Sequence, residues 1–543
     1  MAPSLASASL LSLAAIAAAS ASPSPLVVSS PAKVPTGASW SVPHDFASFS
    51  FPAHFLKDYA ATDGSNSMQA SKANGHPTGN TTYPNLFSRD IFDLLYSKTG
   101  AHPFIRDRGY SDRVWYNASQ EVDSYNWYNE SSPTAALGIA DRVYVGPAFF
   151  GGFNNFPGTH WSWQINRGTD YSGEGGLDNA MEVAKLVMNH VQDRLESFEI
   201  GNEPEFFVTL GERQKNYTID DYVRDWNKYA DAASERVLKG NKYRLDETRF
   251  FQGGTFIGGQ DEEWNVENAF AHGMDGKGHV KTMSYHQYAA SNQGWVRLQN
   301  SYMNHTAVTD NVTQYESAID FCHSYEPFVP LVLGETNSNA YNLNMSQVEG
   351  VFGSALWLID HLMTGMVHSI TRYNLIQGTT FGYSGWVPVT SGGRDPYVRA
   401  PLYGQIFAAD VLGHHPNVQV YNLPGLPWNM SAYGVYESGH LARYVVLNFD
   451  EWNATTPYER PVQSVRLEVP RGVDNVNVRR LTGNGASADE GIQWAGQSWN
   501  YTDGRLVENG KEIWETARAI NSVVHLDIPS TEAVMISLAH NPR

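Results

Sequence analysis

Between about residues 41 and 413, short runs rich in β-branched and aromatic residues alternate with longer stretches whose apolar positions recur at helical spacing. That rhythm belongs to a chain of repeated strand–helix units. The strand candidates are 46–51, 103–106, 161–166, 197–202, 249–254, 281–286, 331–334 and 369–373. Between them, 177–195 places Met181, Ala184, Val187 and Val191 on one helical face, and 348–365 is similar. Eight strands in this order predict a (β/α)8 TIM barrel. Residues 128–158, rich in Gly, Pro, Asn and Phe, are expected to form a long loop at its mouth. Past Gly413 the period shortens to alternating strands at 441–449, 464–469 and 523–528. Strands with one apolar face are stable only as packed sheets, so 414–543 is predicted to be a β-sandwich. Residues 22–40 contain Leu26-Val27-Val28, which is expected to add a strand to it.

The first residues read differently. Residues 1–21 hold an uncharged apolar run ending in Ala19-Ser20-Ala21, the pattern of a cleaved signal peptide and too short for a membrane span. Asn-x-Ser/Thr acceptors at Asn80, Asn117, Asn129, Asn216, Asn304, Asn311, Asn344, Asn429, Asn453 and Asn500 point to the same secretory route, hence to an extracellular protein. Cys322 is the only cysteine, which excludes an internal disulfide. Lys and Arg number 37 against 56 Asp and Glu, a net charge of −19, which disfavours nucleic acid or an anionic membrane as partner. Aromatics make up 13% of the chain, with 15 Trp and 29 Tyr. Their flat faces suit sugar rings and their polar tips suit hydroxyls, although a large aromatic core needs the same residues.

Two strand ends carry the candidate chemistry. Residues 198–204 are a β-run that ends in Asn202-Glu203-Pro204, and 331–335 is an apolar strand closing on Gly334-Glu335. Carboxylates at the C-terminal ends of barrel strands point into the site. The two are the fourth and seventh candidates in order, which places them across the mouth from one another. A retaining glycosidase needs such a pair, one carboxyl to protonate the leaving oxygen and one to attack the anomeric carbon, about 5–5.5 Å apart. Glu205 is a rival acid on the same strand end, but the Asn-Glu-Pro order favours Glu203.

Asn202-Glu203-Pro204 and Gly334-Glu335-Thr336-Asn337-Ser338 resemble the acid/base and nucleophile motifs of glycoside hydrolase family 79, the β-glucuronidase and heparanase family of clan A. Ile105-Arg106 resembles the family's strand-two arginine, and Tyr285-His286-Gln287-Tyr288 its strand-six segment. The resemblance implies Glu203 as general acid/base and Glu335 as nucleophile. Asn202 would then bond the sugar 2-hydroxyl, Tyr288 would donate to Glu335, and Arg106 would add positive charge. Two tyrosines bind the uronate carboxylate in the family, and Tyr341 and Tyr373 are their counterparts here. Tyr341 stands one position later than the family pattern, and Asn342-Leu343 replaces a glycine pair. Tyr383 and Trp386, in the segment 378–394, are expected to wall the sugar pocket.

No metal or other cofactor is expected, because the histidines lack ligand spacing and no Gly-x-Ser-x-Gly elbow occurs. The stretch Gly253-Gly254-Thr255-Phe256-Ile257-Gly258-Gly259 fits no phosphate-loop spacing and is expected to be a barrel loop. The implied activity is a secreted retaining exo-β-glucuronidase acting on terminal glucuronic acid, with or without a 4-O-methyl group. A clan A glycosidase for neutral sugars and a catalytically silent glycan-binding protein remain open. Nothing in the sequence decides the oligomeric state.

Overall fold

The computed structural model describes residues 25–61, 81–108, 113–129, 131, 138–168, 174–259, 261–291, 293–340, 347–391 and 393–538. The leader, the acceptors Asn80 and Asn344, and Tyr341 lie outside the described residues. Eight strands close into a parallel barrel. They are Ala47–Pro52 (β1), Ile105–Arg108 (β2), Trp161–Ile165 (β3), Leu195–Ile200 (β4), Phe251–Ile257 (β5), Val280–Ser291 (β6), Leu331–Ala340 (β7) and Tyr373–Ile376 (β8). Strand β8 returns to β1 through Tyr373 opposite Ala47. Among the described residues no helix is long and apolar enough to cross a membrane.

Three expectations need correction. The strand expected at 369–373 starts four residues later, because Ser369 takes a left-handed φ of 58° closing the helix Phe352–Val367. Gly253 and Gly254 are not loop residues. They lie inside β5, where a Cβ on Gly253 would meet Met274 Sδ at 2.9 Å and Met283 Sδ at 3.0 Å, and the ladder to β6 is irregular beside Gly254. The 128–158 segment is not a bare loop either. Arg142–Val145 within it pairs with Val114–Tyr116 and Ser124–Trp127 in a small sheet, followed by the helical turn Pro147–Asn155. Phe153 of that turn packs edge-on against Trp161. This insertion joins β2 to β3, so it stands on the mouth side of the barrel.

The C-terminal strands form a nine-stranded sheet and a three-stranded sheet. The smaller one contains Leu26–Val28, paired in parallel with Val462–Glu468, which also pairs with Val523–Pro529. The two sheets enclose Val28, Tyr444, Val446, Val465, Leu467, Val524 and Ile536. The other face of the large sheet, with Tyr433, Val435, Val445, Leu447 and Met535, joins the barrel core through the helices Phe352–Val367 and Ala400–Leu412. Burial on both faces explains why Met430–Glu437 is buried almost throughout instead of alternating.

Candidate active site

The inside of the barrel is polar where one would expect branched apolar side chains. Strand alternation turns Phe198 and Ile200 outward and Glu199 inward, and the same alternation brings Arg106 into the interior from β2. Arg106 is completely buried and reaches across the barrel. Its Nε donates to Glu199 Oε2 at 2.8 Å and its Nη2 to Glu199 Oε1, a two-point ion pair. Nη1 donates to Ser50 Oγ at 3.2 Å and to Glu335 Oε2 at 3.2 Å, while Nη2 also reaches Asn202 Oδ1 at 3.2 Å. Gly334 is required by this arrangement, since a Cβ there would meet Ser284 Oγ at 2.1 Å and Arg106 Nε at 3.5 Å.

Glu335 projects inward from β7 and is 1% exposed. Its Oε1 accepts the hydroxyl of Tyr288, so each oxygen has a donor. Thr336, one residue on, faces the opposite way and meets His361 Nε2 at 3.0 Å on the helix Phe352–Val367. Burial holds the His361 imidazole down to about 3, so it stays neutral.

Glu203 follows β4 through Gly201 (φ 80°) and itself adopts a left-handed backbone, φ 47° and ψ 59°. For a residue with a Cβ that conformation costs about 1–2 kcal/mol. It is held by the bond from Glu203 N to Thr255 O at 3.1 Å and by Pro204 opening the next helical turn. The turn aims the carboxylate at His286, whose Nδ1 lies 2.8 Å from Glu203 Oε1. His286 Nε2 lies 3.2 Å from Arg106 Nη2. A guanidinium can only donate, so Nε2 accepts and the imidazole proton sits on Nδ1, donated to Glu203. Ligating atoms of Glu203, His286 and Glu335 all lie within 4.8 Å of one another. A divalent cation would meet the Arg106 guanidinium on two of those three groups, and like charge in a buried site opposes it.

Residues 432–535 match the model of the glycosyl hydrolase family 79 C-terminal beta domain. A β-glucuronidase of Aspergillus niger is 29% identical over 534 residues, 93% of either chain. A β-glucuronidase of Neurospora crassa is 26% identical over 468 residues, 78% of this chain and 82% of its own. The chain carries the C-terminal beta domain of glycoside hydrolase family 79. Its fold is that of the crystal structure of a 4-O-α-L-rhamnosyl-β-D-glucuronidase from Fusarium oxysporum, with TM-score 0.76 at 20% identity over 94% of this chain and 100% of that one. A family 51 α-L-arabinofuranosidase from Bifidobacterium longum is similar at TM-score 0.57 and 11% identity, over 94% of this chain and 99% of that one.

The structure brings together Glu203, Glu335, Arg106, Asn202 and Tyr288, and it separates two others from them. Tyr373 opens β8, at the end of the strand away from the mouth, and is fully buried beside His361 and Phe46. Its hydroxyl is against Gly365, where a Cβ would meet it at 2.2 Å, and burial pushes its pKa up. It is a core residue and not a uronate ligand. Trp386 is also fully buried, its Nε1 donating to Ser88 Oγ at 3.0 Å and its ring edge-on to Phe49 and Tyr59. It therefore packs outside the barrel wall. Tyr383 does reach the site, 6.3 Å from the Tyr288 ring. Glu205 turns aside to accept the backbone N–H of Ile257, and burial raises its carboxyl well above the ordinary range. Glu199 and the ring nitrogens of His286 are the parts that sequence reasoning missed. A glutamate alternating with Phe198 and Ile200 in a barrel strand was the available signal for Glu199.

Proposed function

We propose that the chain is a secreted, retaining, exo-acting β-glucuronidase. The observation that carries the mechanism is the close approach of Glu203, His286 and Glu335, all within 4.8 Å, with Arg106 and Tyr288 donating to Glu335. That spacing suits direct attack by one carboxylate while the other serves as acid, and it leaves no room for the extra water an inverting enzyme positions between them.

Charge balance supports the roles. Three carboxyl groups surround one guanidinium, and Glu199 neutralises it through two hydrogen bonds. A second and third bare carboxylate side by side would repel, so one of them keeps a proton. Glu335 accepts two donated hydrogen bonds and is the one stabilised as an anion. Glu203 keeps the proton. Since its Oε1 accepts from His286, the proton sits on Oε2 and passes to the leaving oxygen. Glu335 attacks the anomeric carbon to give a glycosyl ester. Glu203, now ionised, takes a proton from water as that water displaces Glu335.

The glucuronide assignment rests on the relatives named β-glucuronidase. Exo action is supported by the small sheet after β2 and the segment after β8, both on the mouth side. The exposed acceptors Asn117, Asn129, Asn216 and Asn500 support passage through the secretory route. The deciding assay compares a chromogenic β-D-glucuronide with the matching β-D-glucoside from about pH 4 to 7, for wild type and Glu335→Gln. Glucuronide turnover that the variant loses is the expected result. Turnover of the glucoside alone would keep the mechanism and overturn the uronate assignment.

A further inference from the structure

Away from the Arg106 cluster, one region joins a cavity to a buried carboxyl oxygen without a partner. Residues 347–351 and 394–399 meet Ser487 and Asp489 of the sandwich around a cavity of about 420 Å³. Arg394, Tyr397, Arg399 and Asp489 also line a second one of about 460 Å³ beside it. Glu349 in its wall is 3% exposed, and its Oε1 accepts Asn339 Nδ2 at 2.6 Å while Oε2 has no partner. Burial pushes this carboxyl up to about 7, so near neutral pH it can present a hydroxyl donor. Arg399 donates to the Tyr397 hydroxyl from Nε at 3.2 Å and Nη2 at 2.8 Å, and to Phe381 O from Nη1. Among the described residues no carboxylate pairs with it. Gly350 (φ 66°) keeps the floor open, since a Cβ would meet Gly382 O at 2.7 Å and approach Arg399 Cδ at 3.6 Å.

The chemistry of this wall selects its ligand. Arg394 lies 3.7 Å over the Tyr397 ring and 3.7 Å from Glu490, and Arg399 and Asp489 line both cavities, so two guanidinium groups share this wall with two carboxylates. An anion or a metal ion would need an excess of one sign, and an apolar ligand would leave Glu349 Oε2 unpaired. Guanidinium groups lie over the Tyr397 ring, so it is the hydrogen-bonding groups without net charge, and not a stacking face, that suit a neutral sugar. Asn339, which holds Glu349, is four residues beyond Glu335 on β7, roughly 13 Å along the strand. A short oligosaccharide spans that distance. Phe381, whose carbonyl Arg399 holds, packs on Tyr383, and Tyr383 faces Tyr288 beside the nucleophile.

We propose that this cavity is a second saccharide subsite, which takes a neutral sugar unit of the same glycan whose terminal residue lies between Glu203 and Glu335. This rests on the reading of that pair as a glycosidase centre. The test measures kcat and KM of the full chain, Tyr397→Ala and Asp489→Ala on an aryl β-D-glucuronide and on the trisaccharide β-D-glucuronosyl-cellobiose. Each variant is expected to lower kcat/KM for the trisaccharide about tenfold, through KM, and to leave the aryl substrate within about twofold. Equal losses on both substrates, or none on the trisaccharide, overturn the subsite. If wild type cleaves neither substrate, the glycosidase reading fails by itself. Where the trisaccharide is not cleaved, calorimetry with cellobiose decides the subsite. Binding by wild type that Tyr397→Ala and Asp489→Ala weaken upholds it, and absent or unaltered binding overturns it.

Discussion

At Glu335 two donors arrive from different strands, Arg106 from β2 and Tyr288 from β6, and neither is near it in sequence. A hydrogen bond to a charged group contributes about 1.5–3 kcal/mol. Tyr288→Phe removes one of these without changing the ring, so kcat is expected to fall roughly tenfold to a hundredfold with little change in KM. Steady-state kinetics on the glucuronide check this, and an unaltered kcat would mean the hydroxyl does not support the nucleophile. Glu203 shows a different residue-scale device. Its left-handed backbone is tolerated because Gly201 ahead and Pro204 behind fix the turn, and the direction of its carboxylate follows from that turn. Asn-Glu-Pro was visible as a motif, whereas the imidazole proton on His286 became assignable only once Arg106 was seen on its other nitrogen.

Among elements, the barrel strands are tied together inside by the Arg106–Glu199 pair, with Gln252 of β5 also donating to Glu199. Glu199→Gln would leave Arg106 with its buried charge only partly compensated. The expected cost is about 3–5 kcal/mol of unfolding free energy, measured by urea titration. A loss under about 1 kcal/mol would show that the pair is not what holds these strands. Glu349 gives β7 and the segment after it a pH response. Its folded carboxyl titrates near 7 against an ordinary 4.5, so between those values the folded state binds more protons and stability falls as pH rises. The total fall is about 3 kcal/mol at most. Glu349→Gln keeps an acceptor for Asn339 and is expected to flatten the decline in Tm from about pH 4.5 to 7. A decline of the same slope in the variant would rule Glu349 out as its source.

For the whole molecule, barrel and sandwich share one core and buried polar ties. Tyr433 donates to Asp360 Oδ1 at 2.6 Å, His305 Nδ1 meets Asp360 Oδ2 at 2.9 Å, and Trp494 Nε1 donates to Asp410 at 2.6 Å. Burial lowers the His305 pKa, but the Asp360 carboxylate outweighs it and the net shift is upward from 6.5. A raised histidine contributes fully below its unfolded value and loses that contribution as pH rises through the folded one. His305→Gln is therefore expected to cost most Tm at about pH 5.5 and progressively less towards pH 9. A Tm difference that stays constant over that range would remove His305 from the interface's pH response. A shared core also predicts one cooperative transition by calorimetry, since neither unit can expose its half alone.

Local pattern determined a good deal here. Seven of the eight barrel strands, the long helices near 177–195 and 348–365, and the change to sheet structure after residue 413 follow from the period of apolar positions, because that period reflects burial along a strand or helix. The stretches around Glu203 and Glu335 stood out for the same reason, as carboxyls where apolar runs stop. Tertiary structure decided what periodicity does not encode. Tyr373 and Trp386 are aromatic and near the mouth in sequence, yet a four-residue offset in β8 puts Tyr373 at the opposite strand end and Trp386 packs behind the wall. The partner of Glu199 became legible only when Arg106 reached it from two strands away. The large sheet is buried on both faces because the barrel supplies its second partner, and no single strand's pattern can name a partner. Local spacing encodes which side chains are buried, and the packing of distant strands determines which groups they meet.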